Sequence, residues 1–216
     1  MPELVQRVST RDVIAFTVPP KAQAFIRQMA EKAQVGGTSH VRDPQSRTQA
    51  MGEDQLVGQL GQFALSVYLT GDTKEYVRAR EKANANPTSG DGGADILDSN
   101  IDIKTSRMRA GEDPVGYTLP VRPAERHPNW IYILALVPKK RDDLVYLVGW
   151  LRDEDLPTVT DRSGEFRGCY TRRARELSPL PPFRWPRGQM VNLEGPRQEV
   201  QPVEDPIASA QDIFDA

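Results

Sequence analysis

Two stretches of this chain admit few local structures. Trp130–Val137 (WIYILALV) and Leu144–Trp150 (LVYLVGW) are runs of β-branched, aromatic and aliphatic residues, joined by the charged connector PKKRDD. Each is far short of the ~18 apolar residues of a membrane span, and each is too continuously apolar for a strand with one wet face. They predict the two most buried strands of a sheet.

Upstream the period is helical. Lys21–Gln34 carries Ala22, Phe25, Ile26, Met29 and Ala30 at helical spacing and is stopped by Gly36-Gly37. Met51–Leu69 gives a second helix with Leu56, Leu60, Phe63, Ala64, Val67 and Tyr68 on or near one face, ended by Gly71. A short charged helix over Lys74–Ala85 is broken by NANPTSGDGG. The segment before Pro19-Pro20 reads as irregular. Ala94–Leu97 and Ile101–Thr105 then read as extended segments around the turn-favouring trio Asp98-Ser99-Asn100, a tight hairpin. With four prolines, 106–128 reads as a long loop, and structureless loops of that length inside a domain usually serve function. Residues 153–156 suggest one helical turn. Beyond Leu177 the sequence SPLPPFRWPRG suits neither helix nor central strand.

The expected fold class is therefore α/β, a mixed central sheet flanked by helices. Residues 1–187 form one domain, with a core at about 51–150, and 188–216 form a flexible acidic tail. That tail carries one Lys/Arg against six Asp/Glu, whereas 104–187 carries 16 against 11. The clusters Arg107/Arg109, Lys139–Arg141 and Arg172–Arg175 suit a phosphate-bearing partner, although each alone also reads as solvated surface. No membrane is expected as a partner. The charged start MPELVQRVSTRDVIAF lacks the apolar core of a secretory signal, and the expected location is cytoplasmic. One cysteine, Cys169, and two histidines, His40 and His127, exclude a Cys/His zinc module and leave carboxylates and lysine to carry any chemistry.

Those groups concentrate in Gly93-Ala94-Asp95-Ile96 and Ile101-Asp102-Ile103-Lys104-Thr105-Ser106. On a strand, Ile101, Ile103 and Thr105 point one way and Asp102 and Lys104 the other. With an even hairpin loop Asp95 lies opposite Lys104 and joins that face; with an odd loop and no bulge it lies opposite Ile103, on the wrong face. Two converging carboxylates are costly unless a cation neutralises them, and hard oxygen ligands suit Mg²⁺ or Mn²⁺. A neighbouring lysine can orient or help deprotonate a water, or hold charge on a phosphate. Together these are the parts of metal-dependent phosphodiester hydrolysis. The plainer reading is an exposed strand pair, Asp102 and Lys104, beside turn residues.

The order helix, G-x-D-hydrophobic, hydrophobic-D-hydrophobic-K-T resembles the PD-(D/E)xK nuclease superfamily over roughly residues 51–150. The resemblance implies a restriction-endonuclease-like fold and Mg²⁺-dependent cleavage of DNA. It implies Asp95 and Asp102 as metal ligands, Lys104 as the catalytic lysine, and Ile103 as the donor of a backbone carbonyl near the metal. Many members carry a glutamate on the first core helix; here Gln62 stands in that place within Gly58-Gln59-Leu60-Gly61-Gln62. A neutral amide weakens a second metal site, and Glu53 is a candidate substitute, or simply a first-turn acid complementing the helix dipole. Ser106, Arg107 and Arg109 follow the motif directly and are candidate DNA-backbone contacts. A duplex cutter often needs two active sites, which makes a homodimer a reasonable expectation. The rival reading is a non-catalytic nucleic-acid-binding or assembly protein on a degenerate nuclease scaffold.

Overall fold

The computed structural model describes residues 8–34, 44–71, 73–85, 96, 99–164 and 166–180; the side chains of 32–34, 44–52 and 82–85 are not described. Asp95, the first hairpin strand apart from Ile96, His40 and the acidic tail therefore lie outside the described residues.

The three expected helices are present: α1 (Pro20–Gln34), α2 (Pro44–Thr70) and α3 (Thr73–Ala85). α2 starts seven residues earlier than its apolar period indicates, because 44–50 is polar and offers no stripe to detect. Proline begins both α1 and α2, where its missing N–H costs nothing. The central sheet holds four strands in the order β1 (Ile14–Thr17), β5 (Leu144–Arg152), β4 (Ile131–Pro138), β2 (Ile101–Met108). β1 and β4 both run antiparallel to β5, and β2 runs parallel to β4, so the sheet is mixed. The two apolar runs form the central strands β4 and β5, every residue of β4 being buried.

Four-residue β1 falls in the segment that reads as irregular; too short to show a period, it is stabilised by pairing Ile14 with Leu147 and Phe16 with Val145. The segment 106–128 is more structured than a loop. β2 runs on to Met108, and β3 (Thr118–Val121) pairs antiparallel with β6 (Tyr170–Arg173) in a separate two-stranded sheet. Pro120 hides β3 from a propensity reading, yet a two-stranded sheet is all edge, where proline is tolerated. The turn at 153–156 appears as a 3₁₀ turn over Asp153–Asp155.

The sheet separates two cores. On one face Ile101, Ile103, Ile131, Ile133, Val145 and Leu147 pack against Ile26 of α1, Leu60, Phe63 and Ala64 of α2 and Tyr76 of α3. On the other, Tyr132, Leu134, Leu136 and Val148 pack against Leu119 and Val121 of β3 with Leu156 and Leu177. The described helices thus cover one face only, and the small sheet with its 3₁₀ turns covers the other. α2 approaches β2 most closely at Gly61: a Cβ there would meet Thr105, with Cγ2 at 2.9 Å. Only glycine lets the backbones come that near.

Candidate active site

β2 presents its residues as the alternation requires. Asp102 pairs in register with Tyr132 and Lys104 with Leu134, so both face the core that contains those residues, away from α2. Asn100 O accepts from Ile131 N at 2.9 Å and Met108 O from Lys139 N at 2.8 Å. In a parallel ladder this sends the backbone groups of the even residues toward β4 and those of the odd residues, including the Ile103 carbonyl, toward the outer edge of the strand.

Lys104 Nζ lies 2.7 Å from Asp102 Oδ2 and 2.9 Å from Glu125 Oε2. The side chains of Asp102 and Lys104 are 8% and 17% exposed, so this is no solvated strand pair, whereas Glu125 keeps 34% of its surface. Burial by itself would lower the lysine pKa, but the charges and hydrogen bonds of Asp102 and Glu125 outweigh it and hold the ammonium above its usual value. Burial would likewise raise the Glu125 carboxyl, and Lys104 with Arg122 overrides it and lowers the pKa. A lysine held protonated in this way is a fixed cation and hydrogen-bond donor, not a base.

Glu125 is the residue that the sequence reading missed. It ends a 3₁₀ turn, Pro123–Glu125, whose entry is fixed by proline and by the Glu125 carboxylate accepting from Arg122 N at 3.4 Å. Tyr132 anchors the same segment: its hydroxyl accepts from His127 N at 2.8 Å and donates to Glu125 O at 3.2 Å. Arg126 straps it to the neighbouring turn through Asp153 Oδ1 (2.7 Å), Asp153 O and Pro157 O, and its guanidinium lies 4.6 Å from the centre of the Tyr170 ring. The available signal was coarse: 106–128 holds three acids, Glu112, Asp113 and Glu125, and nothing local marks the last.

Gln62 is buried on α2, in the layer behind β2, whereas Asp102 and Lys104 project from the opposite face. Packing on Ile103 and Thr105 puts α2 on the other side of the strand from those two side chains. Glu53 is exposed on α2. Across the turn of the expected hairpin, Ser99 N and Oγ donate to Ile96 O at 3.3 and 2.7 Å, and Ile101 N donates to Ser99 Oγ at 3.2 Å. Ser106 is half-buried on the face of Lys104, Arg107 pairs with Asp142 at 2.7 Å, and Arg109 is 78% exposed. Tyr132 is core, Trp150 is half-buried and donates Nε1–H to Pro179 O, and the His127 ring sits 4.4 Å from that of Trp130. Arg172 donates to Asp155 O.

Among the described residues no three His, Cys, Asp or Glu side chains are grouped to hold a metal ion. Oxygen donors of the kind a hard cation takes are present on neighbouring residues, the nearly buried Asp102 carboxylate and the Ile103 carbonyl, which the ladder turns away from β4. Comparison of the chain with protein-family models, with curated proteins and with solved structures gave no match. No helix among the described residues is long and apolar enough to cross a membrane.

Proposed function

We propose that this chain is a Mg²⁺-dependent deoxyribonuclease of the PD-(D/E)xK type, with a restriction-endonuclease-like core at about 51–150, an acidic tail at 188–216 and DNA as its partner in the cytoplasm. The observation that carries the reading is the contact of Asp102 with Lys104 at 2.7 Å, on one face of a strand and largely withdrawn from water. Charge held in such a place acts at low effective dielectric and is already oriented before a substrate arrives.

Asp102, the Ile103 carbonyl and Asp95 would hold Mg²⁺ or Mn²⁺, which when bound supplies a Lewis acid and an acidified water. The remaining work falls to the chain. Lys104, protonated and fixed by two carboxylates, donates hydrogen bonds to a phosphate oxygen or to the attacking water and stabilises developing negative charge. Glu125 holds that ammonium in place through an oxygen it also shares with Arg122 N. Ser106 and Arg109 fix the flanking backbone. Cutting both strands of a duplex would use two copies of the chain.

The test is cleavage of supercoiled, linear and single-stranded DNA with Mg²⁺ or Mn²⁺, beside EDTA, Asp102→Ala and Lys104→Ala, each variant checked for folding by circular dichroism. Metal-dependent nicking lost in both folded variants is the expected result. Absence of cleavage with DNA binding unchanged in EDTA would replace this reading with the non-catalytic binder.

A further inference from the structure

A cleft of about 500 Å³ opens at the carboxyl end of β2. Its position follows from topology. β2 and β4 are parallel, so both leave the sheet at the same edge, and Arg109 and Lys139, each one residue past its strand, flank the opening, tied by Lys139 N donating to Met108 O at 2.8 Å. Ser106 lies in its floor, the next residue beyond Lys104 on the same face of β2 and hence about 6.7 Å along the strand.

The lining has two characters. Arg109 and Lys139 outnumber the single carboxylate, Glu112, while Arg107 is already paired with Asp142. Glu112 is also engaged: the Tyr117 hydroxyl donates to it, and Arg109 stands 3.7 Å away, a loose pair on a side chain 78% exposed. Against these charges stand two rings, Tyr117 and Phe166. The Tyr117 ring is held firmly, because its hydroxyl also accepts from Arg109 N at 2.8 Å. A bare phosphate has no use for two rings, and an apolar ligand has none for two cations. A nucleotide uses both, and the volume suits one such unit rather than a stacked pair of strands.

We propose that this cleft seats one unpaired nucleotide of a DNA strand, its phosphate toward Arg109 and Lys139 and its base against Tyr117 and Phe166, adjoining the phosphate that Lys104 engages. The adjoining position rests on the nuclease reading; the seat itself does not. A base inside a duplex is stacked and paired, so the cleft selects single-stranded or frayed DNA.

The experiment is fluorescence anisotropy in EDTA with a labelled oligothymidylate and a duplex of equal length, over a salt series. The variants are Phe166→Ala and Arg109→Ala/Lys139→Ala, and cleavage in Mg²⁺ by wild type and Lys104→Ala is read separately. We expect tighter binding of the single strand and a five- to hundredfold loss on it for Phe166→Ala. The double variant should flatten the log–log salt slope by about 1.4. Equal or tighter duplex binding overturns the proposal. So does a Phe166→Ala protein that binds the single strand like wild type, which would leave only a charged surface. If the binding pattern holds and no Lys104-dependent cleavage is found, the seat stands and the nuclease reading falls; cleavage without the binding pattern has the opposite meaning.

Discussion

Replacing Lys104 with methionine keeps most of the side-chain volume and removes the charge with its hydrogen-bond donors, which makes the ion cluster measurable apart from packing. Asp102, with 8% of its side chain exposed, then loses its ammonium where water cannot fully replace it. Breaking a fully buried pair costs about 3–5 kcal/mol; the partial exposure of Lys104, 17%, brings the expected loss to about 2–4 kcal/mol at pH 7. Glu125, a third exposed, is rehydrated on losing its partner, so Glu125→Gln should cost only about 0.5–1 kcal/mol. Converting Asp102→Asn together with Lys104→Met should recover most of the loss, since no charge is then stranded. Urea unfolding followed by circular dichroism reads all four proteins. With slopes of about 1–3 kcal/mol per molar, the Lys104→Met midpoint should fall by about 0.7 M or more. The pH dependence has a definite sign. In Lys104→Met the Asp102 carboxyl titrates above its unfolded value, so the deficit shrinks as pH falls below that folded value. A Lys104→Met protein within 0.5 kcal/mol of wild type, or a deficit independent of pH down to 4, would refute the argument that the cluster is withdrawn from water.

Three further outcomes are expected. Gly61→Ala drives a methyl group into Thr105 and should cost about 1–3 kcal/mol in urea unfolding, with partial recovery in a Thr105→Ala background because much of the collision is with its side-chain tip. Asn129 has φ of +64°, so Asn129→Gly should be nearly neutral and Asn129→Val should lose about 1–2 kcal/mol, read as a melting shift. The lowered Glu125 pKa adds stability above the unfolded glutamate value of about 4.3, lost as pH falls through the folded value, and the raised Lys104 pKa adds stability below about 10.4, lost as pH rises through the folded value. The stability gap between wild type and Glu125→Gln should therefore be flat from pH 6 to 8 and close in acid, as followed by urea midpoints at stepped pH.

The elements that could be read in the chain are those with a period or a long apolar run: the second half of α2, with Leu60, Phe63 and Ala64 on one side, and the strands β4 and β5. What escaped reading depends on distant partners. β1 is four residues long and exists because Leu144–Leu147 pairs with it; β3 contains a proline tolerable only at an edge. The same divide runs through the site. Asp102 and Lys104 sit two apart on one strand, so their shared face follows from alternation alone, whereas Glu125 reaches Lys104 through a tertiary contact that no local pattern announces. Gln62 is singled out by the resemblance alone, and the side of the sheet on which α2 packs depends on the fit of Gly61 to Thr105, which spacing does not encode.

The parallel pairing of β2 with β4 also bears on the order in which the molecule can assemble. A parallel neighbour cannot be reached by a turn, so the chain from Arg109 to Trp130 makes a full excursion over the face opposite the helices before returning to the sheet. The helices and the β4–β5 hairpin gain contacts close in sequence, while the excursion must close a loop, at an entropic cost, before Glu125 meets Lys104. The contact of Glu125 with Lys104 is therefore expected to form late on the folding route, and a chain that has formed its helices and hairpin but not its excursion carries Asp102 and Lys104 without the Glu125 carboxylate.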